Sequence, residues 1–173
     1  MAPQQPVRLR PAIPEDRFLI RRWLSDPQVQ SWWGTAASAE AEITLALASA
    51  AALPRIIERD GIPIGYAHAV ETGLWAKEQP EGVPAGAWDV DYCVAPAAGD
   101  ADGIGSVVLA LLTEEVFATT LAVACSGLVS IRNEAAARAY ERAGFRWLQL
   151  LQDPLLGPSW LMLKERQGPP QAR

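Results

Sequence analysis

The chain of 173 residues contains only two cysteines, Cys93 and Cys125, and a single histidine, His68. Two cysteines cannot build a disulfide framework, and these two show no metal-ligand spacing. One histidine makes a histidine-based metal site or a catalytic triad hard to assemble. Long apolar runs are missing too. The longest, Ile43 to Leu53 and Ile104 to Leu112, fall short of the roughly 20 residues that cross a bilayer core of about 30 Å. Met1 to Arg10 has no hydrophobic h-region, which argues against export by a standard signal. Positive charge is in deficit: 15 Lys+Arg stand against 20 Asp+Glu, a net charge of −5. That balance disfavours nucleic-acid binding through a basic face. These absences predict a cytoplasmic protein of a reducing compartment, with no membrane and no nucleic-acid partner. The expected partners are small cationic or neutral molecules, and the expected state is a monomer or homodimer.

Hydrophobic residues make up 50% of the chain, enough for one domain to bury a core that offsets ordering entropy. Residues 1–166 read as a single domain and 167–173 as a flexible tail. Val7 to Arg10 alternates and stops at Pro11, a short first strand. Pro14-Glu15-Asp16 opens a helix that runs to Trp23 or Leu24 and is broken at Asp26-Pro27. Ser31-Trp32-Trp33-Gly34 reads as an aromatic loop. Ser38 is the expected cap of a second helix. Asp60-Gly61 between Arg55–Arg59 and Ile62–Val70 is a hairpin signal.

Glu71 to Ala87 lacks periodicity and reads as a long surface loop. Trp88 to Ala95 is a fourth strand, Val107 to Phe117 an apolar helix, and Leu121 to Cys125 a buried strand. Asn133 to Arg142 is an Ala-rich helix stopped by Gly144, and strands near Phe145–Leu151 and Ser159–Lys164 close the domain. The class is α/β or α+β, a mostly antiparallel sheet with one parallel pair around the central helix.

Chemistry concentrates in two segments. The first is strand, glycine loop and helix, from Asp91 to Phe117. Amides before a helix N-terminus carry partial positive charge and can hold a phosphate. An ordinary tight turn explains the same glycines. The second is Asn133-x6-Tyr140-x3-Gly144-Phe145, which alone could be core packing. In this order and separation, the two segments resemble the GNAT superfamily of acyl-CoA-dependent N-acetyltransferases. Arg8-Leu9-Arg10-Pro11, Trp23-Leu24, Trp32-Trp33-Gly34, Asp60 to Ala67 and Trp88-Asp89-Val90-Asp91 extend the likeness to aminoglycoside 6'-N-acetyltransferases. Siderophore-biosynthesis acetyltransferases share the early tryptophan and Gly-Tyr features.

The resemblance implies the GNAT fold, a mixed and mostly antiparallel seven-stranded sheet flanked by about four helices. It implies acetyl-CoA as co-substrate, no metal, and direct transfer to an amine. The pantetheine arm is expected beside the fourth strand at Cys93 and Val94, whose backbone would polarise the thioester carbonyl. The pyrophosphate is expected on the loop Gly99 to Ser106, with Gly103, Ile104, Gly105 and Ser106 at its end and Asn133 and Tyr140 completing the cofactor side. Asp91 matches the acidic position that takes the proton of the attacking amine, and Tyr140 matches the position that returns a proton to the leaving thiolate. Asp89, two residues from Asp91, shares its face on a regular strand, and mutual repulsion raises one of the two pKa values.

Trp32, Trp33, Tyr66, Trp75, Trp88, Asp89, Asp91 and Asp153 are the expected acceptor-binding residues. Flat aromatic surface beside acids suits a cation, and Glu71, Glu78 and Glu81 make the Trp75 loop acidic. Trp23, Trp147 and Trp160 read as core. Cys93 could in principle carry an acyl-cysteine, but no histidine base is placed beside it.

Two features depart from the family pattern. Asp100 and Asp102 occupy the phosphate loop, where the superfamily usually places Arg, Gln or Lys. Leu128 stands five positions before Asn133, where aminoglycoside enzymes carry an acid. The expectation is therefore acetyl transfer to a primary amine of a small cationic acceptor, with an aminoglycoside 6'-amine as the named candidate. The alternatives are acylation of a siderophore precursor or another small amine, and a catalytically weak GNAT-like protein that binds acyl-CoA or a cation.

Overall fold

The computed structural model describes residues 6–75, 79–98 and 103–169. In chain order these form β1 (Val7–Pro11), α1 (Arg17–Leu24), α2 (Pro27–Trp33), α3 (Ala36–Ala48), β2 (Ala52–Arg59), β3 (Ile62–Glu71) and α4 (Thr72–Trp75). There follow β4 (Trp88–Val94), α5 (Ile104–Thr119), β5 (Ala124–Ser130), α6 (Glu134–Arg142), β6 (Arg146–Asp153) and β7 (Gly157–Glu165). The strands make one seven-stranded sheet in the order β1-β2-β3-β4-β5-β7-β6. Every neighbouring pair is antiparallel except β4 and β5.

The β2–β3 hairpin turns on Asp60 and Gly61, with φ of 57° and 75°. Both central residues are left-handed, the turn whose twist matches its strands. α1 buries Ile20, Trp23 and Leu24. With Val29, Ala39, Ile43, Ile56, Tyr66 and Cys93 they form the core under the N-terminal helices. The opposite face carries α5 and α6, and Val108, Leu109, Leu112 and Val116 of α5 are fully buried there. The sheet is thus covered on both faces. Alternation along β4 sends Trp88 and Val90 to the α5 side and Cys93 to the other.

Four expectations change. The Trp32-Trp33 segment is helical because Pro27 starts a helix instead of only ending one. Asp26 extends before it and accepts from the Gln28 amide at 2.9 Å, a side-chain cap. Thr35, not Ser38, caps α3, accepting from the Ser38 amide at 3.3 Å. β5 begins at Ala124 rather than Leu121, which is 72% exposed in the preceding turn. Trp147 is also not core: it is 41% exposed on β6 and packs edge-on against Trp160.

Candidate active site

β4 and β5 are parallel over only two pairs, Trp88 with Cys125 and Asp89 with Ser126. Beyond them the strands diverge, and a cleft of about 540 Å³ opens between β4, β5, α2, the start of α5 and one face of α6. Of the residues expected to act, Trp32, Trp33, Asp91, Cys93, Val94, Gly103, Ile104, Gly105, Ser106, Asn133 and Tyr140 all line this cleft.

The divergence leaves one edge of β4 without a partner strand, and its polar groups find other partners. Tyr140 donates its hydroxyl to the Val90 carbonyl at 2.7 Å. The Trp33 indole donates to the Tyr92 carbonyl at 3.1 Å. The Tyr92 amide donates to the Asp91 carboxyl at 2.7 Å. On the other edge the Ala95 amide donates to the Ile64 carbonyl of β3 at 2.7 Å. Strand amides alternate in direction, so the Val94 N–H points into the cleft. It is placed to polarise a carbonyl lying against β4.

Asp91 and Asp89 share one face of β4. Burial is the main cause that pushes the Asp91 carboxyl well above the ordinary range, and the Asp89 charge adds to it. Burial pushes Asp89 up to about 7, although its bond from the Ser126 hydroxyl at 3.2 Å acts in the opposite direction. Glu42, on α3, adds a further negative charge felt by both. Tyr140 is pushed up by burial and then by the two aspartates, so its phenol stays protonated at neutral pH. The Cys93 thiol, buried and pushed up to about 12, is a poor nucleophile.

At the helix side, Gly103 caps α5 and the amides of its first turn face the cleft without intrahelical partners. Asn133 caps α6, accepting from the Ala136 amide at 3.1 Å. At the end of α2, Trp33 packs against Tyr66 and His68 with ring centres 5.9 and 5.3 Å apart. Tyr66 and His68 are hydrogen-bonded at 3.1 Å, and burial lowers His68 to about 4, leaving it neutral. The Arg132 guanidinium lies 5.9 Å from the centre of the Trp32 ring at the cleft mouth.

Other expected positions lie elsewhere. Tyr66 is fully buried behind Trp33, and Trp88 is in the core on the α5 side, because successive strand residues face opposite ways. Asp89 lies deeper than Asp91, against Ser126. Asp153 closes the β6–β7 turn by accepting from the Leu155 and Leu156 amides at 2.8 and 2.7 Å. It lines a separate surface cavity with Arg132. Gly99, Asp100, Asp102, Glu78 and the Trp75 side chain lie outside the described residues. Sequence reasoning did not single out Gln28, Arg138, Arg142 and Leu156, which line the cleft. Helical spacing of Arg138 and Arg142 was the signal available.

Splayed parallel strands, a helix N-terminus at their mouth, and a protonated tyrosine and a half-buried carboxyl group in one cleft define an acyl-CoA-dependent transferase. The chain belongs to the GNAT acetyltransferase domain family, which matches residues 12–152. It is 29% identical to the aminoglycoside N(6')-acetyltransferase type 1 of Klebsiella pneumoniae, across 94% of this chain and 84% of that protein. The fold also superposes on aminoglycoside acetyltransferase AAC(6')-Ib in complex with coenzyme A. There the TM-score is 0.80 and the identity 26%, over 93% of this chain and 95% of the other. The complex of that enzyme with coenzyme A and kanamycin gives a TM-score of 0.79 at the same identity and coverage. The chain is an acyltransferase that uses acetyl-CoA as co-substrate. Among the described residues no cluster could hold a metal ion.

Proposed function

We propose that this chain transfers the acetyl group of acetyl-CoA directly to a primary amine of a small cationic acceptor, an aminoglycoside 6'-amine being the specific candidate. The observation that carries this reading is the Asp91 carboxyl. It lines the cleft on the open side of β4, three residues before the inward Val94 amide, with a raised pKa. An amine reaches the site mostly as ammonium and must lose a proton before it attacks. A carboxylate of raised pKa is a better matched acceptor for that proton than an ordinary surface aspartate. The neutral amine then attacks the thioester carbon, and the Val94 amide steadies the oxygen as it gains charge. Collapse of that intermediate expels the thiolate of coenzyme A. Tyr140 can protonate it once its hydroxyl turns from the Val90 carbonyl, which lies at 2.7 Å. The nitrogen sheds its second proton, which restores the phenol of Tyr140 after it has protonated the thiolate.

The aromatic wall of Trp32 and Trp33 and the coupled Asp89–Asp91 pair, which holds negative charge once a proton is lost, suit a cationic acceptor. Similarity to enzymes solved with kanamycin and ribostamycin supports the aminoglycoside candidate. Another small amine, such as a siderophore precursor, is a second reading. It draws on Leu128 in the cleft and on Arg132 beside Trp32, which put apolar surface and positive charge where a polycation would enter. A panel of aminoglycosides, polyamines and simpler amines, scored by coenzyme A release, separates the two. Turnover confined to non-aminoglycosides would discard the specific candidate.

A further inference from the structure

Coenzyme A carries a pyrophosphate and a 3'-phosphate, both anionic at neutral pH. From Ala95 to Ile131 the sequence has neither lysine nor arginine, and Asp100 and Asp102 add negative charge to the loop after β4. The α5 N-terminus contributes amides and a partial positive end, not a full charge. The compensating cations must come from another element.

Among the described residues lining the cleft, the basic ones are Arg138 and Arg142, both on α6. They are one helical turn apart and flank Ala139, on the stripe that includes Ala135 and faces the cleft. α6 comes close to the start of α5 at that point: a Cβ at Gly105 would sit 3.1 Å from the Cβ of Ala139. The helix that carries both arginines along the cleft therefore passes beside the amides that would take the pyrophosphate. Among the described residues the ion pair of Arg138 is one of 3.6 Å with Glu134, the two side chains being 60% and 79% exposed. Such a pair holds the arm weakly. The other nearby cations are engaged elsewhere. Arg59 donates to the Ala98 carbonyl at 2.8 Å, and Arg132 lies against Trp32.

We propose that Arg138 and Arg142 form the cationic seat for the phosphates of coenzyme A, placed on α6 instead of in the loop after β4. The inference rests on acetyl-CoA as donor and is independent of the acceptor. Guanidinium forks match phosphate oxygens in paired hydrogen bonds. The seat acts on cofactor binding and not on the chemical step, so its loss raises KM for acetyl-CoA and spares kcat.

The test is a calorimetric titration of coenzyme A, at several salt concentrations, into the parent chain and the Arg138→Gln/Arg142→Gln double variant. The expected result is a Kd raised about tenfold or more and a shallower salt dependence. The thermal midpoint stays unchanged, and kcat at saturating acetyl-CoA stays within about twofold. Dephospho-coenzyme A locates the contact. A smaller penalty with it assigns the seat to the 3'-phosphate, and an undiminished penalty assigns it to the pyrophosphate. A double variant with parental Kd and salt dependence overturns the proposal. So does an Arg59→Gln variant that loses affinity while the α6 variant keeps it. A parent chain that binds no coenzyme A overturns both the seat and the donor assignment.

Discussion

Asp89 and Asp91 stand two residues apart on one face of β4, and the raised pKa of Asp91 has the Asp89 charge as its second cause after burial. Two carboxylates so placed do not both ionise cheaply, and their protons leave as a coupled pair. In the proposed mechanism Asp89 acts on the reaction through Asp91, holding that carboxyl closer to neutrality than burial alone would.

Asp89→Asn removes that repulsion and leaves Asp91 easier to ionise. The acid limb of kcat/KM, which follows loss of the base as it protonates, is expected to move to lower pH. A pH–rate profile measures it, and an unmoved limb or a shift to higher pH would count against the coupling.

The same pair sets a pH dependence of stability. Asp89 has a folded-state value of about 7 against an ordinary 3.8. The native state holds a proton that the unfolded chain releases over that interval. The stabilisation is complete below the unfolded value and is lost as pH rises through the folded one. Asp89→Asn should therefore raise the thermal midpoint more at about pH 8 than at about pH 5. An equal gain at both would show that Asp89 is not buried as a carboxyl that prefers its proton.

Tyr140 is positioned by a glycine. A Cβ at Gly127 would lie 2.2 Å from the Tyr140 ring, so Gly127→Ala forces the phenol or β5 to move. We expect a cost of about 1–3 kcal/mol and a fall in kcat larger than the change in acetyl-CoA KM. Tyr140→Phe leaves the buried Val90 carbonyl without its donor, at about 1–3 kcal/mol. Denaturant unfolding and steady-state kinetics together separate the two effects.

Local signals in the sequence carried much of the fold. Asp60-Gly61 identified its hairpin because both residues tolerate left-handed backbone, and strand–glycine loop–helix identified the β4–α5 unit. Errors arose where one residue serves two roles. Pro27 was read as a helix stop, yet it starts α2. Ser126, Gly127 and Ser130 hid the second half of β5, because Ser126 is there for Asp89, Gly127 for the Tyr140 ring and Ser130 for the Arg132 amide, not for a regular pattern. The placement of Asp91 and Tyr140 in the cleft was legible through the resemblance. The Trp33 bond to the Tyr92 carbonyl and the Arg138–Arg142 stripe beside α5 were not, since both depend on contacts between distant segments.

Trp33→Phe tests one of those long-range contacts. It keeps the aromatic packing on Tyr66 and His68 but deletes the donor to the Tyr92 carbonyl at 3.1 Å. The open edge of β4 loses a tie next to Asp91. A fall of roughly three- to tenfold in kcat/KM for the acceptor is expected, with acetyl-CoA binding retained. Wild-type kinetics would remove Trp33 from the positioning of the base.

The most direct measurement mixes the chain with acetyl-CoA and kanamycin, follows coenzyme A release, and locates the acetyl group on the product by NMR. It is repeated with Asp91→Asn. The account predicts acetylation of the 6'-amine and a drop of more than tenfold in turnover for the folded variant. Undiminished turnover in Asp91→Asn, or coenzyme A binding with no amine of a broad panel acetylated, would contradict it.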